Sequence, residues 1–241
     1  MNIALIFAGG TGQRMNTKTR PKQFLELNGK PIIIHTVSHF ERHPEIDGIV
    51  IVCLEDWIPY MRELLAYYHI EKVDWIVPGG ETGQGSIRKG LDALYQDERV
   101  PKDALVLIHD GVRPLINAEI ISQNIACAKR FGNAVTVTPA IETIINITSS
   151  DEVSDILDRS KCRLARAPQT FRLEDIVAAH NRADAEKNDS MIDSAMLMDH
   201  YGTVLHIVEG PVENIKITTP SDFYIFRAIY EARENSQIWG I

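Results

Sequence analysis

Apolar positions in this chain fall into two kinds of run. Short β-branched segments at residues 2–7, 48–54, 73–77, 104–109, 134–138 and 204–208 read as strands, and their near-continuous hydrophobicity implies burial on both faces. Longer amphipathic stretches at 32–40, 57–68, 84–95, 118–130, 173–182, 192–201 and 220–234 read as helices. Their alternation predicts an α/β fold, a Rossmann-like, mostly parallel sheet with helices on both faces. No internal repeat and no Pro/Gly/Ser-rich linker divides the chain, so residues 1–241 are expected to form one domain. The segment 140–171 breaks the alternation with polar strand-like pieces at 143–147 and 162–165. It is expected to project as a β-arm, packing on a second subunit of a homodimer or standing as a surface hairpin.

Charge narrows the ligands. With 25 basic and 33 acidic residues the net charge is -8, a field that repels nucleic acid and anionic membranes. An anionic ligand therefore needs a local basic site. The longest apolar runs fall far short of the roughly 20 residues of a membrane-spanning helix. Residues 3–7 lack a basic flank and run straight into glycines, as a strand does and a signal peptide does not. Three scattered cysteines, Cys53, Cys127 and Cys162, make neither a disulfide framework nor a zinc site and fit a reducing cytoplasm.

The first strand ends in Ala8-Gly9-Gly10-Thr11-Gly12-Gln13-Arg14-Met15, followed by Pro21-Lys22-Gln23. Glycines after a buried strand let backbone N–H groups face phosphate oxygens. Met15 stands where the dinucleotide-binding pattern needs a third glycine, and no Gly-Lys-Ser/Thr of a P-loop follows. Arg14 and Lys22 are candidate phosphate ligands at the carboxyl end of a strand, where open α/β sheets bind ligands. Lys18 and Arg20 are read as solvated. Three more segments fall at strand ends: Gly79-Gly80-Glu81 leading to Ser86, His109-Asp110-Gly111-Val112-Arg113, and Asn214-Ile215-Lys216. Asp110 beside a phosphate cradle is a candidate Mg²⁺ anchor, since Mg²⁺ takes one or two carboxylates plus phosphate oxygens. His35, His39 and His43 share a helical face, but Pro44 and the lack of acidic partners favour a wet face over a metal site.

Taken together, these segments, with Pro168-Gln169-Thr170-Phe171 and Glu209-Gly210, resemble in order the family of CTP-dependent polyol-phosphate cytidylyltransferases over residues 2–228. The resemblance implies a nucleotidyltransferase fold of the glycosyltransferase-A-like kind, Mg²⁺ as cofactor, CTP and a polyol phosphate as substrates, and a cytoplasmic homodimer. By this analogy Arg14, Lys22 and Lys216 are catalytic. Ala8, Gly9, Gly10, Thr11, Gly12, Gly80, Glu81, Ser86, Asp110 and Gly111 bind the nucleotide, and Asp110 also steadies the metal. Arg113, Thr143, Arg159 and Asp193 bind the acceptor, with a residue reaching from the partner's arm.

Ala8-Gly9-Gly10, Asp56-Trp57 and Val112 lean toward the ribitol-phosphate branch, whose CDP-alditol product serves teichoic acid or capsule synthesis. The methylerythritol-phosphate branch is the alternative. Gly83, Ala167 and Ile192 depart from the family pattern, which leaves arabinitol or mannitol phosphate as further acceptors and a non-catalytic CTP-binding regulator as a reading of another class.

Overall fold

The computed structural model describes residues 1–10, 20–188 and 190–239, with side chains up to residue 235. In chain order the elements are β1 (Asn2–Ala8), β2 (Glu26–Leu27), β3 (Lys30–Pro31), α1 (Ile32–Glu41), β4 (Gly48–Cys53), α2 (Ile58–Tyr67), β5 (Val73–Pro78), α3 (Gly83–Gln96) and β6 (Leu105–Asp110). They continue as α4 (Ala118–Phe131), β7 (Asn133–Pro139), β8 (Ile145–Ile147), β9 (Val153–Ile156), β10 (Arg163–Arg172), α5 (Leu173–Glu186), α6 (Ser194–His200), β11 (Ile207–Glu209) and α7 (Pro220–Trp239).

Among the described residues seven strands form the central sheet in the order β11-β7-β10-β6-β1-β4-β5. β1 pairs in parallel with β4 and β6, and β10 alone runs antiparallel, between β6 and β7. Alternate residues of β1 feed two cores. Ala4, Ile6 and Ala8 pack with Ile33, Val37 and Phe40 of α1, with α2 and with α4. Ile3 and Leu5 pack with Ile87, Leu91 and Leu94 of α3, with α5 and with α6. Burial of β1 on both sides explains why its sequence is apolar without alternation. The expected α/β layering is therefore present, and every predicted helix is found, with ends shifted by a few residues.

Helix starts follow capping chemistry. Thr82, Asn117 and Asp193 each accept a backbone N–H of the first turn, opening α3, α4 and α6. Gly132 ends α4 at φ +85°, a conformation that disfavours other residues. Thr219 and Asp222 form a reciprocal pair at the start of α7: Asp222 accepts the Thr219 N–H at 2.7 Å and Thr219 Oγ1 accepts the Asp222 N–H at 3.3 Å.

Two expectations need correction. The excursion is shorter than 140–171: its projecting part is the β8–β9 hairpin, while 163–172 re-enters the sheet as β10. Gln169, Thr170 and Phe171 pair with β6 on one side and β7 on the other. The histidine face of α1 is not wet. His35 and His43 are buried, His39 is half-buried, and Nε2 of each meets a backbone carbonyl, of Leu27, Pro114 and Ala118 respectively. The column ties α1 to β2, to the loop after β6 and to the start of α4.

Candidate active site

From β1 the chain passes to β4 and β5 on one side, then returns to β6 on the other, so the strand order reverses between β1 and β6. The crevice outside the carboxyl ends of these strands is where open sheets hold ligands. Ala8-Gly9-Gly10 leaves β1 there. A side chain on Gly9 would stand 2.7 Å from Ser86 Oγ, and one on Gly80 would stand 2.6 Å from the Gly85 backbone, so the two glycine segments approach as only glycine permits. Ser86 Oγ accepts the Gly80 N–H at 3.0 Å and donates to the Thr82 carbonyl at 3.0 Å, fixing this loop against the start of α3. Gln23 folds back to donate to the Ala8 carbonyl at 2.7 Å. Lys22 Nζ donates to the Ile217 carbonyl at 3.1 Å, which brings the Pro21–Gln23 turn against the segment before α7.

At the end of β6 stands a buried ion cluster. Asp110 Oδ2 accepts from Arg113 Nε at 2.7 Å, and Oδ1 meets Lys216 Nζ at 2.6 Å. Arg113 also donates to the Asn214 carbonyl at 3.0 Å. Burial alone would push the Asp110 carboxyl up; the two cations outweigh it and hold the group well below the usual carboxylate range. His109, beneath it, is pushed down to about 3 by burial and so is neutral, with Nε2 on the Arg113 carbonyl. Asn214 donates to the Ala167 carbonyl at 2.6 Å and thereby ties this segment to β10.

A cavity of about 210 Å³ opens beside the cluster, walled by Asp110, Arg113, Arg166, Gln169, Asp193 and Lys216 among others. Gln169 donates to Asp193 at 3.0 Å and accepts the Ala195 N–H at 2.9 Å, so one amide sets the entry to α6. A larger cavity of about 490 Å³ lies at the opposite edge around Asn133, Arg172 and Tyr201, away from every predicted site residue. Among the described residues no cluster of three or more His, Cys, Asp or Glu converges. Asp110 by itself still suits a Mg²⁺ that arrives with phosphate oxygens, provided the half-exposed Lys216 releases Oδ1.

The model of the family 2-C-methyl-D-erythritol 4-phosphate cytidylyltransferase (IspD) matches residues 2–232. The chain belongs to the IspD family. Among its relatives, a ribitol-5-phosphate cytidylyltransferase of Streptococcus agalactiae is 52% identical over 241 residues, the whole of both chains. A 2-C-methyl-D-erythritol 4-phosphate cytidylyltransferase of Clostridium botulinum is 36% identical over 95% of this chain and 97% of its own. The crystal structure of 4-diphosphocytidyl-2C-methyl-D-erythritol synthase from Anaerococcus prevotii superposes with a TM-score of 0.82 at 27% identity, covering 95% of each chain. This IspD-family chain is thus a nucleotidyltransferase of the cytidylyltransferase kind, and no helix among its described residues is long and apolar enough to cross a membrane.

In this family member Ala8, Gly9, Gly10, Lys22, Gly80, Ser86, Asp110, Gly111, Arg113, Asp193 and Lys216 all lie along the carboxyl edge, with Glu81 exposed beside Gly80. Thr11, Gly12, Arg14 and Lys18 lie outside the described residues. Thr143 and Arg159 are on the exposed arm and do not line the cavity; Arg159 donates to the Ile141 carbonyl at 2.8 Å. Arg20 is exposed and pairs with Glu26, as its solvated reading expects. Gln23, Gln169 and Asn214 organise the site although only their motifs, not their roles, mark them in sequence. Arg166 was missed altogether; its one signal is a cation directly before the Ala167-Pro168-Gln169 motif of an acidic chain.

Proposed function

We propose that this chain transfers CMP from CTP to D-ribitol 5-phosphate, giving CDP-ribitol and pyrophosphate. The observation that carries the choice of acceptor is the 52% identity along the whole chain to the streptococcal enzyme. An oxygen of the acceptor phosphate attacks the α-phosphorus of CTP, and the bond from that phosphorus to the pyrophosphate oxygen breaks. With a second pKa near roughly 6 the acceptor phosphate is already ionised at neutral pH, so no general base is required. Catalysis then rests on positioning and on charge stabilisation.

Lys216 leaves Asp110 to stabilise charge on the α-phosphate, while Lys22 and Arg14 hold the departing pyrophosphate. Backbone groups of Ala8–Gly12, Gly80, Glu81 and Gly111, with Ser86 behind them, receive the nucleoside. Mg²⁺ bound with CTP supplies further neutralisation of the triphosphate, and Asp110 is the carboxylate that would hold it. Thr143 and Arg159 serve the acceptor of a partner subunit.

That last role needs a homodimer, and the arm supports one. Ile145 pairs with Ile156 and Ile147 with Val153, and all four are exposed on a two-stranded hairpin, an element marginal on its own. A solution mass near twice 27.1 kDa is expected by light scattering, and a monomer would overturn this part. The activity is tested by pyrophosphate release from CTP and Mg²⁺ with ribitol 5-phosphate, methylerythritol 4-phosphate, arabinitol phosphate and mannitol phosphate. Release with ribitol 5-phosphate is expected. A preference for another acceptor overturns the substrate, and silence with all four while CTP binds points to a regulator.

A further inference from the structure

Charge in the 210 Å³ cavity is unbalanced. Three cations, Arg113, Arg166 and Lys216, line it together with two carboxylates, Asp110 and Asp193. Both oxygens of Asp110 are engaged by Arg113 and Lys216. Asp193 accepts the Met196 N–H through Oδ1 at 2.8 Å and the Gln169 amide through Oδ2 at 3.0 Å. Arg166 differs from its neighbours. Among the described residues its guanidinium makes one hydrogen bond, from Nε to Thr138 Oγ1 at 3.3 Å, and no carboxylate lies within ion-pair distance. Burial and the nearby Arg113 both disfavour its charge, yet a guanidinium stays ionised in proteins. A half-buried cation without a counter-charge marks a place where an anion is stabilising.

The surroundings define which anion. Arg166 lies where the pairing of β10 with β7 shifts register, between Ala165 and Gln169, so the strand is irregular at the cavity wall. Ala167 and Ile192 flank this wall with alkyl groups, which leaves the cations as its strongest donors to a ligand. A planar guanidinium matches two oxygens of a phosphate, and Lys216 lines the same cavity.

We propose that Arg166 binds the phosphate of the acceptor from within the same subunit and so positions the nucleophile beside Lys216. This rests on the polyol-phosphate reading above. It adds a ligand that does not depend on the partner's arm.

The test is steady-state kinetics of the full chain with CTP and Mg²⁺ for wild type, Arg166→Gln and Arg166→Lys. Arg166→Gln is expected to raise the KM for ribitol 5-phosphate roughly 10- to 100-fold, the range of one charge-assisted hydrogen bond, with the KM for CTP within about 2-fold. Arg166→Lys keeps the charge without the fork and is expected to recover part of that loss. The rise should be equal for arabinitol 5-phosphate wherever the wild type accepts it, because the phosphate is the shared group. An unchanged acceptor KM in Arg166→Gln, a rise confined to CTP, or a rise confined to one alditol overturns the proposal. Wild-type inactivity on every alditol phosphate would instead overturn the functional reading on which it rests.

Discussion

Asp110→Asn separates the ion cluster's structural role from its chemical one. Asparagine keeps the shape and one acceptor oxygen but turns an amide N–H toward either Arg113 or Lys216. Lys216 is half-exposed and can return to water, whereas the side chain of Arg113 is only 10% exposed and has no such escape. Leaving a buried partner uncompensated costs about 3–5 kcal/mol. At roughly 2–4 °C per kcal/mol for a domain of this size, the melting temperature at pH 7 should fall by about 6–20 °C. The pH dependence carries the sharper test. Because the folded carboxyl titrates far below its unfolded value of about 3.9, its contribution is complete above that value and fades as pH falls, by up to about 1.4 kcal/mol per unit. Urea denaturation of both proteins at pH 7, 5 and 3 should show the gap unchanged from 7 to 5 and narrowed at 3. A loss below about 1 kcal/mol at pH 7, or a gap that does not narrow at pH 3, would refute the account of Asp110 as a buried, doubly paired carboxylate.

Lys216→Ala and Lys22→Ala should each lower kcat by about 100-fold or more with the circular dichroism spectrum retained, the effect of removing a donor that acts on transition-state charge; near-normal turnover in either removes it from the mechanism. Gly111→Ala would bring a methyl group to 2.5 Å from Ile33 Cδ1 and 3.0 Å from Ala8 Cβ, and should destabilise by about 1–3 kcal/mol in urea denaturation, since both neighbours are close-packed. Burial lowers His35, His39 and His180 to about 4 and His109 to about 3, so the unfolded chain takes up protons below its value of about 6.5 that the folded chain refuses. The urea midpoint should therefore be flat above pH 6.5 and fall between 6.5 and 4, a window above that of Asp110; a midpoint constant down to pH 5 would show these imidazoles to be wet.

The strands legible in sequence are those buried on both faces. β1, β4 and β6 carry short, largely apolar runs of strand rather than helix length, as burial on both faces of a sheet requires. Only the start of β10 was legible, as the strand-like piece at 162–165; Arg166, Pro168 and Arg172 interrupt the rest, and its place between β6 and β7 is set by partners rather than by its own propensity. The histidines of α1 show the same limit. Their shared face follows from spacing, but its burial depends on carbonyls at Pro114 and Ala118, 75 residues away. In the site, the glycines and the cations that follow them at strand ends were legible because few other residue types make an anion cradle, whereas Arg166, inside the broken run of β10, was not. The amides that hold them, Gln23, Gln169 and Asn214, were not, since an amide in a motif looks the same whether it touches ligand or backbone.

The antiparallel course of β10 links the arm to the chemistry. A parallel strand in its position would enter the sheet at the opposite edge and deliver only its last residues to the cavity, as β6 delivers Ile108 and Asp110. Running the other way, β10 begins at the carboxyl edge, so Arg166, Ala167 and Gln169 form the cavity wall while Thr170 and Phe171 complete the core. The Ala167 carbonyl is held by Asn214, and Asn214 in turn gives its own carbonyl to Arg113 of the Asp110 cluster. One strand thereby joins the projecting hairpin, the acceptor wall and the buried ion cluster through a chain of direct bonds. A change in how the hairpin is held reaches Arg166 along the ten residues of backbone after β9, whereas the nucleotide cradle around Gly9 and Ser86 stands on the other side of β6 and, among the described residues, shares none of these bonds. Damage to the arm should therefore be felt in the acceptor KM before it is felt in the KM for CTP.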